Sequence, residues 1–116
     1  MSKPVIMVVD DDPLVLRLLK TILERDYEVL AAADPAAALA LLEGNEPQLF
    51  ILDMQLPGMH GLDLVHLLRG NQLTPAIAVT GGNVDSDEVL AHGFNGYLLK
   101  PFKPAELRAL VANSLG

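Results

Sequence analysis

Few side chains in this 116-residue chain can do chemistry, and they stand where apolar runs stop. Asp10, Asp11 and Asp12 follow PVIMVV (Pro4 to Val9), and Asp53 terminates the run from Leu49 to Leu52. A turn-rich loop with Pro57, Gly58 and Gly61 comes next. Thr80 closes PAIAVT, and Lys100 follows GYLL. If Asp10, Asp11 and Asp53 share one edge, their charges repel, and a hard divalent cation such as Mg²⁺ or Mn²⁺ relieves the repulsion by taking oxygen ligands. A hydroxyl and an ammonium on the same edge complete the parts for handling a phosphoryl group. Asp53 is then the nucleophile, the cation neutralises phosphoryl oxygens, and Lys100 and Thr80 hold the others. Gly81 leaves room for the tetrahedral group.

That edge requires a particular fold. Runs of four to six apolar residues bounded by turn signals read as strands buried on both faces: Pro4–Val9, Gln48–Asp53, Pro75–Thr80 and Gly96–Leu99. Tyr27–Ala31, with a charge inside it, reads as an edge strand. Asp12-Pro13 and Asp34-Pro35 each pair an N-cap with a proline at the first helical position. The first pair opens a helix to about Arg25 with the stripe Leu14, Val15, Leu18, Leu19, Ile22, Leu23, and the second a helix ending near Gly44. Further helices are expected around Leu62–Leu68, closing near Gly70, from about Val84 to His92, and from Pro104 with Leu107, Leu110 and Val111 inward. Alternating strands and helices predict an α/β fold: a five-stranded parallel sheet flanked by five helices. Right-handed crossovers suit the flavodoxin-like order 2-1-3-4-5, which puts Asp10, Asp11 and Asp53 together at the switch point. No linker or repeat divides the chain, so residues 1–116 are expected to form one domain.

Bulk composition removes other function classes. With 51% hydrophobic residues the chain is not disordered, and with 4% aromatics its core must be aliphatic. The absence of cysteine excludes disulfides, thiolate metal sites and thiol nucleophiles. A formal charge of −7 argues against a nucleic-acid surface. No apolar stretch approaches the roughly 20 residues of a membrane span, so a cytoplasmic, soluble domain is expected.

The pieces VVDDDP (Val8–Pro13), LDMQLPGMHG (Leu52–Gly61), AVTG (Ala78–Gly81) and GYLLKPF (Gly96–Phe102) together resemble the receiver (CheY-like) domain of two-component response regulators, across essentially the whole chain. The resemblance implies a regulatory phosphoacceptor, not an enzyme with turnover. Asp53 would receive a phosphoryl group from a sensor histidine kinase or a histidine phosphotransfer protein. Asp10 and Asp11 would be metal ligands beside Asp53, with the Gln55 backbone carbonyl as another. Thr80 and Tyr97 would be switch residues, and Lys100-Pro101 a cis peptide, an isomer costing only about 0.5–1 kcal/mol before proline. The surface of the fourth helix, fifth strand and fifth helix would change on phosphorylation, toward a downstream effector or a homodimer.

The chain departs from the family in one place. Thr80 and Lys100 are closer together than the family's usual spacing, while Gly93 keeps its offset from Lys100. The fourth helix or the loop before it is therefore expected to be shortened between Gly81 and His92. Gln55 and Gly82 fall where the family varies side chains that tune phosphoryl lifetime.

Plainer readings apply elsewhere. Asp12 and Asp34 are helix caps, the three histidines His60, His66 and His92 are surface or loop residues, and Tyr97 as a half-buried strand tyrosine needs no switching role. A small Mg²⁺-dependent phosphatase resembling haloacid dehalogenases is the alternative, because Asp10 and Asp12 form a D-x-D after the first strand; Pro13 and the small size oppose it. A flavin carrier on the same fold is disfavoured by aspartates where a Ser/Thr-rich phosphate loop would stand.

Overall fold

The apolar runs become the strands β1 (Val5–Val9), β2 (Glu28–Ala32), β3 (Leu49–Asp53), β4 (Ala76–Thr80) and β5 (Gly96–Leu99). The computed structural model describes residues 3–82, 86–91 and 93–116, with the side chain of Ser86 left aside. All five strands are parallel and lie in the order β2-β1-β3-β4-β5, as expected. The central β3 and β4 are buried at every position, which explains their unbroken hydrophobicity. The edge strands β2 and β5 keep exposed residues.

Helices α1 (Pro13–Leu23), α2 (Pro35–Leu41), α3 (Gly61–Arg69), α4 (Ser86–Ala91) and α5 (Pro104–Leu115) cover the sheet. Alternate strand residues serve opposite faces. Ile6, Val8, Ile51, Ile77 and Val79 pack toward α1 and α5 through Leu19, Ile22, Leu23, Leu107 and Val111. Met7, Val9, Phe50, Leu52 and Ala78 pack on the other face with Ala38, Leu64, Val65, Leu68 and Val89 from α2, α3 and α4. Each fully buried aliphatic side chain contributes about 1.5–3 kcal/mol.

Both predicted caps form. Asp12 Oδ1 accepts from the Leu14 N–H at 2.9 Å, and Asp34 Oδ1 from that of Ala37 at 2.7 Å. The α1 stripe needs correction, since Leu14 is 74% and Leu18 44% exposed. The inner face of α1 is instead Leu19, Ile22 and Leu23, with Val15 and Leu16 packed beside them. Helices α1 and α2 stop two to three residues earlier than their breakers suggest. The expected ends of α4, Val84 and His92, lie outside the described residues; its described part is six residues long.

An antiparallel ribbon pairing Gln55–Leu56 with Met59–His60 was not foreseen. It turns at Gly58 (φ +79°) and delivers the chain to α3, where His60 Nδ1 accepts from the Leu62 N–H at 3.2 Å as the cap. Gly61 does more than turn the chain. A Cβ there would lie 2.7 Å from Met54 Sδ and 2.9 Å from the Asp53 carbonyl oxygen, so α3 starts directly against the backbone that carries Asp53.

Candidate functional site

Register brings the chemical residues together. Val9 pairs with Leu52, Asp53 with Val79, and Thr80 with Leu99. Residues immediately after or at these positions therefore emerge at one carboxyl edge: Asp10 after β1, Asp53 at the end of β3, Thr80 at the end of β4, Lys100 after β5. Carboxylate oxygens of Asp10, Asp11 and Asp53 all lie within 4.8 Å of one another.

Their surroundings differ. Asp10 is wholly buried, with Oδ1 accepting from the Asp12 N–H at 2.9 Å and Oδ2 lying 3.0 Å from Lys100 Nζ. Among the described residues, Oδ2 has no partner at hydrogen-bond geometry; the lysine contact is an ion pair only. Asp53 is 6% exposed; its Oδ1 accepts from the Gln55 N–H at 3.1 Å, and its Oδ2 lies 3.7 Å from Lys100 Nζ. Asp11 is exposed. Three carboxylates answered by one ammonium leave two uncompensated negative charges.

The electrostatics follow. Burial lifts the Asp53 carboxyl above its ordinary range, and the neighbouring Asp10 charge adds to this, while the Gln55 N–H and Lys100 oppose it. Burial works against the Lys100 ammonium, but the adjacent Asp10 carboxylate, with the charges of Asp53 and Asp12, holds it above its usual value. Lys100 stays positive at any physiological pH. An all-oxygen donor set with surplus negative charge, and a buried Asp10 oxygen without a hydrogen-bond partner among the described residues, fits a hard divalent cation.

Thr80 is buried, with Oγ1 accepting from the Gly82 N–H at 3.3 Å. Gln55 begins the ribbon two residues beyond Asp53, its side chain exposed. Tyr97 stands apart from the cluster on β5, opposite Ala78 and 41% exposed. The Lys100–Pro101 peptide is cis, as expected. Asp12 Oδ1 caps α1, the plain role expected for that residue. Two supports escaped sequence reading. Gly61 could have been suspected only from its place after the loop, and Arg69, at the end of α3, carries no local signal of the contacts it makes.

A family model described as "Response regulator receiver domain" matches residues 6–112. The DNA-binding response regulator MtrA of Mycolicibacterium smegmatis is 37% identical over 109 residues, covering 91% of this chain and 48% of that protein. The alkaline phosphatase synthesis transcriptional regulatory protein PhoP of Bacillus subtilis is 37% identical over 110 residues, covering 91% and 46%. The chain thus spans about half the length of these curated relatives. Among solved structures, a CheY-like receiver domain from Methanospirillum hungatei superposes with a TM-score of 0.86 at 34% identity, covering 98% of this chain and 94% of the other.

Proposed function

The chain belongs to the response regulator receiver domain family, and from that premise we propose that it is a phosphoacceptor switch whose acceptor is Asp53. One observation carries the residue assignment: Asp53 ends the central strand with a lifted carboxyl, 3.7 Å from an ammonium that also holds Asp10.

An Asp53 carboxylate oxygen attacks the phosphorus of a phosphohistidine on a sensor kinase or phosphotransfer protein. The new P–O bond forms as the P–N bond breaks, and the imidazole nitrogen leaves with the electron pair and takes a proton. Asp10, Asp11 and the Gln55 carbonyl would hold Mg²⁺ or Mn²⁺, which supplies charge neutralisation for the phosphoryl oxygens. Lys100 turns from its two carboxylates toward a phosphoryl oxygen and needs only a small movement. Thr80, whose oxygen already accepts from Gly82, keeps its own proton to donate to another. The phosphoryl group thereby rewards the inward Thr80 position, and the surface around α4, β5 and α5 shifts with it, Tyr97 repacking on β5. The listener is an effector or a second copy of the chain. Where relatives are described as DNA-binding, we assign that role to the half this chain does not span, consistent with its charge of −7.

Acetyl phosphate with Mg²⁺ should add one acid-labile phosphoryl group to the protein, read by intact mass, and Asp53→Asn should abolish it. Undiminished labelling of Asp53→Asn, or labelling lost only in Asp10→Asn, would defeat the assignment.

A further inference from the structure

Helix α3 ends in Arg69, which takes no part in the acidic cluster. Its Nε donates to the Thr74 carbonyl at 2.7 Å, closing the loop into β4. Its Nη2 donates to the Gly93 carbonyl at 2.8 Å, 24 positions along the chain. Gly93 follows α4 with φ +84°, and a Cβ there would lie 2.8 Å from Arg69 Nη1, so the guanidinium rests against bare backbone. Two residues later Asn95 fastens to β4: its N–H donates to the Ala76 carbonyl at 2.8 Å, and its Oδ1 accepts from the Ala76 N–H at 3.1 Å.

The exit of α4 is therefore tied to α3 through Arg69 and to β4 through Asn95. Val89 and Phe94 are the buried apolar anchors of this short stretch, while Asp87, Glu88, Leu90 and Ala91 are exposed. A helix with one buried apolar side chain among its described residues needs its ends fixed to have a defined position. The planar guanidinium suits this task, because its fork meets two carbonyls from different segments at once; a lysine is a single point donor.

We propose that Arg69 is a positioning residue that anchors the exit of α4, so that a movement begun at Thr80 displaces the helix instead of dissipating as slippage of the turn behind it. The inference rests on the reading of Asp53 and Thr80 as the phosphorylation trigger.

Hydrogen–deuterium exchange on the whole chain, with and without acetyl phosphate and Mg²⁺, tests it. Without phosphodonor, Arg69→Gln should speed exchange of the Phe94 and Asn95 amides about tenfold, as loss of a charge-assisted hydrogen bond implies, leaving β1 and β3 unchanged. With phosphodonor, Arg69→Gln should label at the wild-type rate, yet the phosphorylation-dependent change in α4 protection should fall by at least about half. Arg69→Lys, which keeps the charge and reaches one carbonyl, should be intermediate, and decides by the same readouts if β1 and β3 lose protection in Arg69→Gln. Wild-type exchange at Phe94 and Asn95, or a wild-type α4 response in the variant, overturns the proposal. A wild-type protein that takes no label on Asp53 defeats the trigger reading instead, and the exchange measured without phosphodonor still supports or overturns the anchor.

Discussion

Lys100 serves two buried carboxylates with one ammonium, at 3.0 Å from Asp10 and 3.7 Å from Asp53. Removing it strands Asp10 Oδ2, which has no other charge partner among the described residues. Lys100→Ala should therefore lower unfolding free energy by about 1–3 kcal/mol at neutral pH, measured by urea denaturation, and should also slow labelling by acetyl phosphate at least about tenfold. Asp53 has the opposite sign. Burial lifts its carboxyl above the ordinary 3.8, so the folded chain holds that proton more tightly than the unfolded chain. That stabilisation is complete below 3.8 and disappears as pH rises through the folded value, leaving an ionised Asp53 as a liability at neutral pH. In metal-free buffer at pH 7, Asp53→Asn should raise the urea midpoint, and the difference from wild type should narrow as pH falls toward 4. Mg²⁺ should raise the wild-type midpoint and leave that of Asp53→Asn nearly unmoved.

At the scale of elements, the loop after β3 is braced by contact and not by turn chemistry alone. Gly61 sits where any side chain would strike Met54 and the Asp53 carbonyl, while Gly58 has open space around it at φ +79°. Gly61→Ala should cost about 1–3 kcal/mol through overpacking and slow phosphorylation, because the displaced backbone carries Asp53. Gly58→Ala should cost only about 1–2 kcal/mol of left-handed strain and leave phosphorylation intact. Thermal unfolding and labelling of the two variants separate these cases. The same contrast explains what could be read in advance. Strand cores and caps such as Asp12 and Asp34 are local signals: a periodicity, or a carboxylate before a proline. Leu14 and Leu18 share the helical spacing of the α1 stripe, but at about 100° per residue they fall at its edge, away from the buried Leu19, Ile22 and Leu23, and stay in water. The Gln55–His60 ribbon is two residues per strand, too short for alternation to register. The partners of Arg69 and Gly61 are set by tertiary approach, which no spacing in the chain encodes.

For the molecule as a whole, parallel register is the device that converts four separate strand ends into one site. Asp10, Asp53, Thr80 and Lys100 come from different quarters of the sequence, and only the order β2-β1-β3-β4-β5 places them side by side. The family match covers residues 6–112, nearly the whole chain. Asp53 is the one carboxylate of the acidic cluster proposed to carry the phosphoryl group. Borohydride reduction of protein treated with acetyl phosphate and Mg²⁺, followed by peptide mass mapping, tests this assignment most directly, since an aspartyl phosphate is reduced to homoserine at its own position. Homoserine is expected at position 53, with unmodified aspartate at 10, 11 and 12. Homoserine at position 10, or an acid-stable phosphate on Thr80, would contradict it.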